Sequence, residues 1–70
     1  VLSQTLEGTV LQAQALSIHG AVFYDLLLQT AEGSRRVRFQ DTFLSPAPQA
    51  GEKLRLELIL GNVSSVERVP

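Results

Sequence analysis

The chain has 70 residues, enough for one small domain that buries about 60% of its unfolded surface. It contains no cysteine, which excludes disulfides and thiolate metal sites and leaves an aliphatic core, self-association or a larger partner as sources of stability. Six basic residues against seven acids give a net charge of −1, too little positive charge for strong general binding to nucleic acid.

The chain opens on Val1, as a processed protein or a domain of a longer chain would. Val1 to Leu11 carries no basic stretch ahead of an apolar run, so it does not read as a secretory signal. No run of about 18 apolar residues is present, and no membrane span is expected. The lack of cysteine fits a cytoplasmic protein.

Thr5, Thr9 and Val10 suit a strand from about Leu6 to Ala15, with Gly8 as the expected bulge that bends it. Leu11 to Leu16, with two Ala and two Gln, is equally compatible with a helical turn. Ser17 to Gly20 reads as a turn.

Ala21 to Gln40 reads as a hairpin with its turn at Glu32-Gly33 and a return strand over Arg35 to Gln40. A two-residue turn there sets Leu28 against Val37 and Leu26 against Phe39. On the other face Gln29 meets Arg36, Leu27 meets Arg38 and Asp25 meets Gln40. Pro46, Pro48 and Gly51 make Asp41 to Gly51 a connection, in which Phe43 and Leu44 pack as a short plug or a single helical turn.

Leu54, Leu56, Leu58 and Leu60 alternate with Lys53, Arg55, Glu57 and Ile59, the period of a half-buried strand. Gly61-Asn62 then reads as a hairpin turn. A simple return would set Glu67 against buried Leu56, so a bulge near Ser64-Ser65 is expected to turn Val66 inward instead. All four leucines are expected in the core with Leu26, Leu28, Val37 and Phe39.

The result is an all-β chain forming a single domain over residues 1–70. It is a small five-stranded antiparallel barrel of OB-like or SH3-like type, with the plug or helical turn between strands three and four. The residues that carry the resemblance are Gly8 in a long first strand, the Ala21–Gln40 hairpin, Phe43 and Leu44, and the run from Gly51-Glu52-Lys53-Leu54 to Gly61-Asn62-Val63. In that pattern the chain resembles the OB fold. SH3-like barrels and molybdate-binding barrel modules show similar spacing, but no oxyanion-binding motif is present. The resemblance implies a ligand face on the outside of strands two and three.

Candidate chemistry is sparse. His19 is the single histidine and, without a second His or any Cys, no metal site is expected. Ser17, His19 and Asp25 supply the residue types of a catalytic triad, but no nucleophile elbow surrounds any serine. The glycines are isolated and build no phosphate loop. No enzyme activity and no cofactor is expected.

The sharpest polar feature is Arg35, Arg36 and Arg38. Arg36 and Arg38 fall on the outer face with Phe23, Asp25, Leu27 and Gln40. Phe23, Leu27 and Ile59 are apolar positions expected to point outward. Phe23, Leu27, Arg36, Arg38 and Ile59 therefore form the candidate partner-binding set. The leading expectation is a non-enzymatic module for protein–protein interaction or self-association. The alternative is an OB-like binder of single-stranded nucleic acid that stacks bases on Phe23 and meets phosphates with Arg36 and Arg38.

Overall fold

The computed structural model describes residues 2–70, and Val1, where the chain opens, lies outside them. The elements in order are β1 (Ser3–Ile18), β2 (Ala21–Thr30), β3 (Gly33–Gln40), a 3₁₀ turn over Asp41–Phe43, β4 (Lys53–Ile59) and β5 (Asn62–Arg68). All pairings are antiparallel, and the sheet order is β3-β2-β1-β4-β5. Leu11 to Leu16 is strand, not helix.

β1 does two jobs. Its first half, Ser3 to Thr9, pairs with β4, and its second half, Thr9 to Ile18, pairs with β2. Only Thr9 belongs to both ladders. Gly8 does not form the bulge that the sequence suggests. The bulge falls at Leu11, between Val10 and Gln12. Gly8 instead allows β2 to cross close over β1: an added methyl there would lie 2.9 Å from the Gln29 carbonyl oxygen and 3.2 Å from Leu28 Cβ.

The core lies on one face of this sheet. Leu6, Val10, Leu26, Leu28, Val37, Phe39, Leu54, Leu56 and Leu58 are buried there. Leu44, carried in by the turn after β3, closes one end. Phe43 stays at the surface, with its ring 6.3 Å edge-on from Phe39. A flat five-stranded sheet would leave such a face wet. Here the sheet coils on itself, and β3 and β5 approach each other across the core. No hydrogen-bonded ladder joins β3 to β5 among the described residues, so the sheet is open where a closed barrel was expected.

Each hairpin differs in detail from its sequence reading. The β2–β3 turn is Ala31-Glu32, closed by the Thr30 hydroxyl, which donates to the Gly33 carbonyl at 2.8 Å and accepts from Glu32 N–H at 3.2 Å. Leu26 therefore faces Val37, Tyr24 faces Phe39, Leu27 faces Arg36 and Asp25 faces Arg38. This is a slip of two from the expected pairing. A slip of two keeps every side chain on its face, which is why the alternation alone does not detect it.

The β4–β5 turn is Leu60-Gly61, with φ of +52° and +83°. Two positive φ values are the signature of a type I′ hairpin. Leu60 is thereby lifted out of the strand and is 73% exposed, not buried as expected. The expected bulge is present: Glu57 pairs with Ser65 and Leu58 with Val63, leaving Ser64 over, and Val66 comes opposite Leu56.

Candidate interaction surface

The outer face of β1, β2 and β3 is built of cross-strand rows. Leu16, Phe23 and Gln40 form one, Gln14, Asp25 and Arg38 the next, and Gln12, Leu27 and Arg36 the third. The bulge at Leu11 sets this phase. Before it, Leu6 and Val10 point to the core. After it, Ala13 and Ala15 take the inner side, and Gln12 and Gln14 go to water.

Phe23 and Leu27 are half-buried on this face, and Arg36 and Arg38 are exposed. Arg38 grips Asp25 with two hydrogen bonds, of 3.2 and 3.1 Å. The bonded guanidinium holds the Asp25 carboxyl below its ordinary range, and the carboxylate raises Arg38. Being exposed, this pair adds little to stability. Ile59 does not join the face. It pairs with Ser3, at the opposite end of β1, beside Leu2 and Leu60. The expected apolar trio is thus divided between two regions.

Two further features were not apparent from the sequence. The first is a cleft of about 170 Å³ between the facing edges of β3 and β5, lined by Arg35, Arg36, Arg38, Leu58, Asn62 and Val63 among others. The second is a free edge. Past Val10, whose N–H and C=O bond to Glu52 and Gly51, β1 pairs with β2 on one side only. No hydrogen bond reaches the other side of Gln12–Ile18 among the described residues. That edge contains no Lys, Arg, Asp, Glu or Pro. The β3 edge carries Arg35, Arg36 and Arg38, and the β5 edge carries Glu67 and Arg68.

The residue types of a triad do not converge. Ser17 pairs with Val22 on one face of the hairpin, whereas Asp25 lies on the other and is held by Arg38. His19 is exposed in the hairpin turn at φ +50°. No group of three His, Cys, Asp or Glu suited to a metal ion occurs among the described residues. No helix among them is long and apolar enough to cross a membrane. No family model matches this chain, and neither a curated protein nor a solved structure is found similar to it.

Proposed function

We propose that this domain is a non-enzymatic, cytoplasmic binding module that takes on another polypeptide by strand addition. The observation that carries this reading is the open, uncharged edge of β1 from Gln12 to Ile18. Native sheets guard such edges with charge, proline or a covering segment, because a row of unpaired N–H and C=O groups templates a further strand. The flanking outer face supports the same reading. A strand added at this edge lies one strand from the half-buried Phe23 and Leu27, and Arg36 and Arg38 form the charged rim beyond them. Ile59 serves a separate contact, with Leu2 and Leu60. In this reading the fold is an OB-like or SH3-like barrel, with β3 turned toward β5 along the seam.

Panning a displayed library of random linear peptides tests the reading. Ala15→Pro removes an N–H that the hairpin geometry directs to the free edge and leaves the β1–β2 ladder intact. Selected ligands should lose binding to this variant. Ligands that bind Ala15→Pro as well as the parent would sink the proposal.

A second reading, single-stranded nucleic acid, has one observation in its favour. Arg35 and Arg36 line the β3–β5 cleft and have no carboxylate within ion-pair distance among the described residues. Titration of a labelled oligonucleotide at low and moderate salt decides it. Tight, salt-sensitive binding that Arg36→Ala weakens supports this reading over strand addition.

A further inference from the structure

We propose that the strand added at the β1 edge is the same edge of a second copy, paired antiparallel about a two-fold axis at Ala15. This rests on the strand-addition reading and names its partner.

Ile18 and Ala21 close a two-residue hairpin and bond to each other, so Ile18, Leu16, Gln14 and Gln12 direct their backbone groups toward β2. Ala13, Ala15 and Ser17 then direct theirs outward. Two copies of one strand related by a two-fold axis keep matching faces only when a residue meets itself. The midpoint of Gln12–Ile18 is Ala15. Centring there engages the whole free edge, with Ala15 on Ala15 and Ala13 on Ser17, and forms about six interchain hydrogen bonds. It gives one continuous sheet joined along about 20 Å of strand.

The side chains fit this register. Small residues meet on the inner face, so the two backbones close without a clash. On the outer face Gln14 lies opposite the second copy's Leu16, and Gln12 opposite its Ile18. Leu11 and Ile18 are exposed apolar residues, 44% and 39% accessible, at opposite ends of the free edge. Antiparallel pairing brings each beside the other across the axis, at both ends of the contact. With no charge on the strip, self-pairing opposes no like charges. The β3 edge, by contrast, would set arginine against arginine in such pairing about either of its central residues, Arg36 or Val37.

The test is sedimentation equilibrium on the full chain from about 10 μM to about 1 mM, the range of a small, weak interface. The parent should rise from 7.6 kDa toward twice that mass. Ala15→Lys and Ala15→Glu should each remain monomeric at every concentration, because each sets like charges against themselves. An equimolar mixture of the two should recover the dimer. Denaturant melts of the single variants check that each remains folded, and Ala15→Pro supplies a second disruption without charge. A parent that is monomeric throughout overturns the proposal. So does a dimer that Ala15→Lys and Ala15→Glu leave unchanged, or one that the mixture fails to restore. If the parent is monomeric but library peptides still require Ala15, the second copy is wrong and strand addition stands. If peptides also ignore Ala15→Pro, both fail.

Discussion

Gly8→Ala separates two physical accounts of the long first strand. In an ordinary strand interior, replacing glycine by alanine stabilises by about 0.5–1 kcal/mol, because the unfolded chain loses less freedom on folding. Here the sign should reverse. The added methyl would stand 2.9 Å from the Gln29 carbonyl oxygen, 3.2 Å from Leu28 Cβ and 3.2 Å from Thr30 Cγ2. The first of these is backbone, held in the β1–β2 ladder by the Thr9–Gln29 pair, and cannot rotate away. Overpacking of this kind costs about 1–3 kcal/mol. The net loss is therefore up to about 2.5 kcal/mol, which for a domain this size lowers the melting temperature by roughly 4–8 °C per kcal/mol.

Urea melts of the parent, Gly8→Ala, Thr30→Ser and the double variant measure it. Thr30→Ser removes one of the three close atoms and keeps the hydroxyl that closes the Ala31-Glu32 turn. It should relieve only part of the Gly8→Ala loss, since the Gln29 carbonyl stays. A Gly8→Ala variant that gains the ordinary amount of about 0.5–1 kcal/mol would show that β2 does not cross β1 at this point. The turning of β1 from one neighbour to the other would then need another cause.

Leu60→Asn should stabilise by about 1 kcal/mol, because leucine in the left-handed region is strained, asparagine tolerates it, and an exposed side chain gives up little packing; a loss in thermal melts would mean that Leu60 is covered. Leu58→Ala, at a site only 2% exposed, should cost about 2–5 kcal/mol, and a loss under about 1 kcal/mol in denaturant would contradict the burial of that face. Acid should also weaken the domain. Arg68, bonded to Glu52 at 2.6 Å, and the Gln49 N–H hold the Glu52 carboxyl below its ordinary 4.5, and Arg38 holds Asp25 below its ordinary 3.8. A depressed folded-state value means that the unfolded chain binds protons first, so this share of stability is complete above those ordinary values and is lost as pH falls through the lower folded ones. Melts between neutral and acid pH should show the decline, and Arg68→Ala should flatten the part due to Glu52.

What the sequence revealed is what a period of two can encode. Leu54, Leu56 and Leu58, with Leu26, Leu28, Val37 and Phe39, lie in the core because each run alternates over several residues. Register was less legible. A displacement of two leaves that alternation unchanged, and only the turn chemistry distinguishes Ala31-Glu32 from Glu32-Gly33. Leu60-Gly61 was hidden for a related reason: an L residue as bulky as leucine rarely takes positive φ, so Gly61-Asn62 looked the better turn. The bulge at Leu11 did leave a signal. The apolar positions Leu6 and Val10 are even-numbered, yet the next polar pair, Gln12 and Gln14, is even-numbered too. A strand that keeps its glutamines out of the core must change phase between them. The face carrying Phe23, Leu27, Arg36 and Arg38 was visible from the same alternation, whereas its separation from Ile59 depends on which half of β1 each neighbour pairs with.

The free edge could not have been found by any local pattern, because it is a consequence of β1 being longer than either neighbour's ladder. β4 ends its pairing at Thr9, and the bonds of Val10 to Gly51 and Glu52 complete that side. The rest of the strand is long enough for a full edge and is left with one neighbour. Evolutionary cost is not needed to see the anomaly, only comparison within the molecule. One face of the same hairpin carries an Asp25–Arg38 pair and a row of glutamines, and the β3 edge carries three arginines, so charge was available to this part of the fold. Lysine at Ala13, Ala15 or Ser17 would disturb no buried group, since all three are exposed. An edge that merely faced water would accept such a lysine without consequence. If it instead receives a second copy, Ala15→Lys, which meets itself across the axis, abolishes association while leaving the denaturant melt of the monomer within about 0.5 kcal/mol of the parent. That dissociation between binding and stability is the mark by which an interaction edge differs from an exposed strand.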